Sequence, residues 1–173
     1  MIPLCDLKLQ YESLSEEINE AMLKVAAEAR YILGPNVRAF EQEIADYCSC
    51  EHAVGVGSGT DALHLALKAL GIGPGDEVIT TPFTFVATTE AIGMVGATPV
   101  FIDIDPLTFN MDVTQLESRV TSNTKAILPV HLYGQSCNMD VVMDVAQRHG
   151  LSVVEDCAQA IGATWRGRPV GSI

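Results

Sequence analysis

Three groups of residues have types and spacing suited to chemistry. The run Gly55-Val-Gly-Ser-Gly-Thr60-Asp61 places glycines, over which a ligand can approach the backbone closely, directly before a helical pattern. The unpaired N–H groups and the dipole at a helix start attract an anion, phosphate above all. Thr81-Pro-Phe-Thr-Phe85 supplies aromatic rings, and Glu155-Asp156-Cys-Ala-Gln159 supplies a carboxylate and an amide. Asp156 closes a run that is apolar from Leu151 to Val154, and an acid there is costly unless something pairs with it. It is therefore read as functional.

Each group has a plainer reading. Gly-Ser-Gly-Thr fits a tight turn equally well, with Ser58 or Thr60 as a helix N-cap. It matches neither the P-loop pattern nor G-x-G-x-x-G, because Thr60 stands where the last glycine would fall. Phe83 and Phe85, taken by themselves, are read as core residues sooner than as ligand contacts. Asp103 and Asp105 lie at another strand end, but Asp105-Pro106 also reads as a turn initiator. His131 and Tyr133 are read as lining a crevice, with packing and hydrogen bonding as the alternative. His52, His64 and His149 share no partner spacing and are read as solvated or structural.

The elements that must position these residues are visible in the hydrophobic pattern. The first forty-odd residues read as helical: Ser13-Leu-Ser-Glu16 has the form of a capping box, followed by Leu14, Ile18, Met22, Val25 and Ala29 at three- and four-residue steps. Gly34-Pro35 ends that helix, and Val37, Phe40, Ile44 and Tyr47 mark a second. From residue 52 onward, short Val- and Ile-rich runs at 53–57, 77–80, 99–102, 125–130 and 151–156 alternate with helical patterns. Runs that are apolar at nearly every position, separated by helices, predict an α/β fold with a mainly parallel sheet covered on both faces. In such a sheet, ligands sit outside the carboxyl ends of the strands, where all three polar groups fall. The expected organisation is a helical lead-in over 1–50 and an α/β unit over 51–173.

A phosphate seat, a flat ring and a buried acid in one crevice match the needs of pyridoxal 5'-phosphate. Its phosphate anchors it, an aromatic side chain covers one ring face, and a carboxylate keeps the pyridine nitrogen protonated so that the ring acts as an electron sink. That chemistry also needs a lysine for the Schiff base. The chain has Lys8, Lys24, Lys68 and Lys125, and none follows the acidic strand end.

Composition narrows the partners. With 22 acidic against 10 basic side chains, the net charge is -12, which argues against nucleic acid, since phosphate backbones are bound by Lys and Arg. A small anion stays compatible where local backbone dipoles outweigh the global field. The longest apolar stretch, 91–102, is broken by Gly93, Gly96 and Pro99 and falls well short of the roughly 20 residues that span a bilayer. The N-terminus has no basic start or long apolar segment of a secretory signal. Five cysteines without repeated spacing suit a reducing cytoplasm and give no pattern for a bound metal.

Five segments then occur in order: Gly57-Ser-Gly-Thr-Asp-Ala-Leu63, Gly73-Pro-Gly-Asp-Glu-Val78, Thr81-Pro-Phe-Thr-Phe-Val-Ala-Thr88, Pro129-Val-His-Leu-Tyr-Gly-Gln135 and Glu155-Asp-Cys-Ala-Gln-Ala160. Together with Gly34-Pro-Asn-Val-Arg-Ala-Phe-Glu41 they closely resemble the DegT/DnrJ/EryC1/StrS aminotransferases, fold-type-I pyridoxal-phosphate enzymes that aminate nucleotide-linked keto-sugars. The resemblance implies that Gly59, Thr60 and Asp61 form the phosphate-binding turn through their backbone N–H groups. It puts Phe85 over the pyridine ring, Asp156 at the ring nitrogen and Gln159 near the ring hydroxyl. It further implies glutamate or glutamine as amino donor, a nucleotide-linked keto-sugar as acceptor, and a homodimer for the full-length protein.

In that family the turn matching Arg166-Gly-Arg-Pro-Val-Gly-Ser-Ile173 precedes a strand, a phosphate-contacting serine and the catalytic lysine. The resemblance therefore places the Schiff-base lysine beyond Ile173 and no catalytic residue within the chain. Residues 51–173 are expected to be the N-terminal portion of the cofactor-binding large domain, inactive alone. Two alternatives stay open: a branch in which histidine replaces the lysine and the reaction is a dehydration, and a non-catalytic binding module that keeps the fold.

Overall fold

The computed structural model describes residues 5–173. Two helices come first, α1 (Leu7–Glu28) and α2 (Pro35–Cys48). Asp6 is the N-cap of α1, its side chain accepting from Leu9 N–H at 3.0 Å. The helix thus starts before the expected capping box, and Ser13 lies inside it, donating from Oγ to Gln10 O. A serine in a helix interior can satisfy its hydroxyl on a carbonyl of the preceding turn, so the capping pattern alone does not mark a start. No α1 residue is buried, and the apolar stripe Leu14, Ile18 and Met22 remains exposed.

The α/β unit follows. Helix α3 (Gly59–Ala69) leads to β1 (Glu77–Thr80), α4 (Ala87–Met94) and β2 (Thr98–Phe101). A single turn at Val113–Gln115 runs into α5 (Leu116–Arg119), then β3 (Thr124–Ile127), α6 (Met139–His149) and β4 (Ser152–Val153). The strands form one parallel sheet in the order β2-β1-β3-β4. A small antiparallel hairpin, β5 (Thr164–Trp165) with β6 (Arg168–Pro169), follows.

Strand side chains alternate between faces, so one sheet feeds two cores. Val78, Ala126, Leu128 and Val130 pack with Leu63 and Leu67 of α3 and Ala91 and Ile92 of α4. Ile79 and Ile127 pack on the other face with Leu116 of α5 and Met139, Val142 and Val145 of α6. Burial on both sides explains why these strands are apolar at successive positions, and the α/β expectation of a mainly parallel, doubly covered sheet holds.

One expected strand is absent. Residues 53–57 form no ladder; Val54 and Val56 are exposed, and the Gly55 N–H goes to Glu41 Oε1 of α2 at 2.7 Å. A strand exists only with a pairing partner, and among the described residues no strand lies beside this run. The last strand is shorter than 151–156, but the pairing resumes beyond it: Val154 N–H donates to Ile127 O, and Asp156 bridges to Val130.

Candidate active site

The bridge to Val130 decides where Asp156 goes. Asp156 N–H donates to Pro129 O at 2.9 Å and its own carbonyl accepts from His131 N–H at 3.1 Å. The backbone is thereby pinned on both sides at the carboxyl end of the sheet. The side chain turns toward α4, where Oδ2 accepts from Thr88 Oγ1 at 3.1 Å and Oδ1 accepts from Ala158 N–H at 3.2 Å. Asp156 is 9% exposed, and Thr88 is fully buried and shares a 3.0 Å hydroxyl contact with Thr84. Among the described residues, no Lys, Arg or His nitrogen lies within 4.0 Å of this carboxylate. A buried anion held only by neutral donors is a ready partner for a cationic group.

Facing it is the start of α3. Ser58 is the N-cap, its Oγ accepting from Asp61 N–H at 3.1 Å and donating to Asp61 Oδ2 at 2.9 Å. Ala62 N–H is taken by Ser58 O, while the N–H groups of Gly59 and Thr60 have no partner among the described residues. A side chain added at Gly59 would meet nothing within 4 Å, so that side of the helix start is open. Two free N–H groups at the positive end of a helix make an anion seat.

Gly59, Thr60, Phe85, Thr88 and Asp156 line one crevice of about 350 Å³, a size within the usual range of about 300–1,000 Å³ for small-molecule sites. Phe85 is 71% exposed and stands between this crevice and a second hollow of about 290 Å³. Gln159 and Tyr133 line the second, where Gln159 Oε1 accepts from Tyr133 N–H at 3.0 Å. Asp61 lies outside the lining, with its N–H and carboxylate both spent on Ser58. A larger cleft of about 630 Å³ between α1 and α2 is mostly apolar and holds no buried acid.

His131 does not line the crevice. It is 0% exposed, its Nδ1 accepts from Cys137 N–H at 3.0 Å, and its Nε2 bonds Glu155 Oε2 at 2.9 Å. Packing and hydrogen bonding, the alternative at this position, describes it correctly. Asp105 is a turn residue whose Oδ1 accepts from Leu107 and Thr108 N–H. His149 pairs with Glu117 on the surface.

Donor atoms of His131, Glu155 and Cys157 lie within 4.8 Å of one another, as in some metal centres. The group does not fit a metal. Both imidazole nitrogens are occupied by protein partners, and burial pushes the Cys157 thiol up to about 12, far from the thiolate a metal needs. Thr88 and Glu155 carry no role in the sequence reading. Thr88 stands in the first turn of α4, and Thr84, in the bend before that helix, meets its hydroxyl beside the buried acid.

Residues 12–173 match the DegT/DnrJ/EryC1/StrS aminotransferase family. The chain belongs to this family. Among DegT-family relatives, it is 52% identical over 171 residues to a UDP-N-acetyl-3-dehydro-alpha-D-glucosamine 3-aminotransferase of Acidithiobacillus ferrooxidans, covering 99% of this chain and 46% of that protein. It is 53% identical to a pleiotropic regulatory protein of Geobacillus stearothermophilus, again over 99% of this chain and 46% of the relative. Its fold superimposes on Streptomyces venezuelae DesV, solved with a ketimine intermediate, with a TM-score of 0.97 at 48% identity, over 99% of this chain and 46% of that one. The chain thus spans under half the length of these DegT-family proteins.

Proposed function

We propose that the crevice binds pyridoxal 5'-phosphate, and that the chain is the cofactor-binding part of an aminotransferase acting on nucleotide-linked keto-sugars. The observation carrying this reading is Asp156, a buried carboxylate with only neutral donors, across from two uncommitted N–H groups at a helix start. An anion at one end and a cationic ring nitrogen at the other satisfy both.

In this reading Gly59 and Thr60 receive the phosphate on their N–H groups, where the α3 dipole adds to the attraction. Asp61 supports the turn by holding Ser58. Phe85 covers the ring, and Asp156 holds the proton on the pyridine nitrogen, with Thr88 fixing its rotamer. Gln159 lies across Phe85, beside the edge assigned to the ring hydroxyl. Bound pyridoxal phosphate supplies an electron sink for breaking bonds next to the reacting carbon. No lysine lines the crevice, so the proton-transferring lysine is proposed to come from polypeptide matching the remainder of the relatives.

The relatives named for UDP- and dTDP-linked sugars support a nucleotide-linked keto-sugar as acceptor; glutamate or glutamine as donor rests on the family resemblance alone. Free cysteines fit a reducing cytoplasm, and among the described residues no helix is long and apolar enough to cross a membrane. The bare apolar stripe of α1 supports burial against further polypeptide, in a homodimer when full length.

The test is titration of the chain with pyridoxal phosphate, read by absorbance and fluorescence, against Asp156→Ala. Saturable binding weakened at least ten-fold by the substitution is the expected result. Equal binding by both proteins would favour the non-catalytic module, a reading that the regulatory name of one relative keeps in view.

A further inference from the structure

Asp156 has a carboxylate neighbour that the proposed mechanism leaves unused. The Glu155 side chain is 7% exposed and is bonded at 2.9 Å to the fully buried His131 ring. One backbone donor sets the charge of this pair. Cys137 N–H donates to His131 Nδ1, so that nitrogen presents a lone pair and carries no proton. The imidazole is therefore neutral, with its proton on Nε2, from which it donates to Glu155 Oε2. Glu155 Oε1 accepts from Ile173 N–H at 2.9 Å. Burial pushes the Glu155 carboxyl up, but hydrogen bonds from His131 and from the backbone of Gly171 and Ile173 outweigh it and hold the group below the ordinary glutamate value. The pair carries a net negative charge, where a buried histidine–glutamate contact would otherwise suggest none.

Nothing nearby cancels that charge. The titratable groups facing Glu155 are His131 at the neighbouring strand end, Cys137 behind it, and Asp156 and Cys157 on its own segment, with Cys48 and Cys50 of the α2 end beyond Cys157. Burial keeps the Cys137 and Cys157 thiols neutral, pushed up to about 11 and about 12. Among the described residues, His131 supplies the one basic nitrogen within 4.0 Å of Glu155.

Geometry couples this charge to Asp156. Both residues line the same crevice, and the segment that pins the Asp156 backbone carries the ring that holds the Glu155 side chain. We propose that Glu155 is a positioning residue for Asp156: anchored through neutral His131, it fixes the strand end that aims the Asp156 carboxylate, and its charge raises the proton affinity of a ligand nitrogen held there. Two buried anions hold a pyridinium proton more firmly than one. The ligand's identity rests on the proposed function.

The experiment loads the chain with pyridoxal phosphate labelled with nitrogen-15 in the ring and follows the nitrogen shift with pH. In the unaltered chain the ring nitrogen stays protonated above the pH at which the free cofactor loses its proton. Glu155→Gln keeps an oxygen for His131 and removes the charge, and lowers that midpoint by about one pH unit. A purely structural Glu155 would change the melting temperature and leave the midpoint in place, which overturns the proposal. Should Glu155→Gln fail to fold, the nitrogen-15 spectrum of His131 in the folded, unaltered chain decides: a proton on Nε2 and none on Nδ1, as the Cys137 N–H donation requires, is expected, and a ring protonated on both nitrogens overturns the proposal. Asp156→Asn separates the two claims: it should bring the midpoint down to about the free-cofactor value, and if it leaves the midpoint where the unaltered chain has it, the cofactor reading itself fails.

Discussion

Thr88 Oγ1 donates to Asp156 Oδ2 at 3.1 Å, joining helix α4 to the acidic end of the sheet through a fully buried hydroxyl. Thr84 Oγ1 lies 3.0 Å from the same hydroxyl, so the two threonines form a short chain leading to the carboxylate. The site is thereby supported from a helix that contributes no charge to it.

Removing that donor separates support from binding. Thr88→Val keeps the shape and deletes the hydroxyl, leaving one Asp156 oxygen without its partner in a site 9% exposed. A buried hydrogen bond to a charged group contributes about 1.5–3 kcal/mol, so the variant should lose stability in that range and bind pyridoxal phosphate several-fold more weakly. Thr88→Ser should recover most of both. Urea unfolding and cofactor titration on the three proteins measure the two effects, and a Thr88→Val chain that binds normally would remove Thr88 from the site.

The Ser58 cap makes a second, local prediction. Its hydroxyl serves Asp61 N–H and the Asp61 carboxylate together. Ser58→Ala should cost about 1 kcal/mol of stability through the lost cap. It also frees the Asp61 N–H to join those of Gly59 and Thr60, so phosphate affinity should fall less than stability does. Inorganic phosphate protection against thermal unfolding, compared between the two proteins, tests this.

The alternation of apolar runs with helical patterns was readable because two-sided burial leaves its mark at every strand position. Residues 53–57 carry the same mark yet form no strand, since pairing is a relation to another segment and not a property of the run. Asp156 was legible as an acid closing an apolar run, and Gly59 and Thr60 as a helix start. Adjacent strand residues face opposite ways, but period two does not say which of Glu155 and Asp156 meets the crevice helix. That choice comes from Thr88 on one side and His131 on the other, which reach them only through the packed sheet. His131 was misread for the same reason: its ring is taken up by Cys137 and Glu155, one of them distant in sequence.

Glu155 also makes acid stability predictable in sign. Its folded-state pKa lies below the ordinary value of 4.5, so its stabilisation is fully present above about that pH and is lost as pH falls through the folded value. The chain should therefore lose melting temperature from about pH 4.5 downward more steeply than Glu155→Gln, which has no proton to take up there. Thermal melts at pH 7 and across the acid range read the difference directly. Parallel curves for the two proteins would show that the carboxylate is no better held in the folded chain than in the unfolded one.

Cysteine chemistry reports on the crevice independently of any spectrum. The thiolate is the nucleophile, and burial pushes Cys157 up to about 12 and Cys137 up to about 11, while Cys5 is exposed. Iodoacetamide at pH 8 should therefore modify Cys5 first and Cys137 and Cys157 last, as read by peptide mass spectrometry over time. The two slow thiols differ in place, because Cys157 lines the crevice beside Asp156 and Cys137 sits in the core under α6. Saturating pyridoxal phosphate should slow Cys157 further, by blocking its approach, and leave the Cys137 rate alone. Equal slowing of both would point to global tightening, whereas a Cys157 rate indifferent to the cofactor would put the cofactor somewhere other than this crevice.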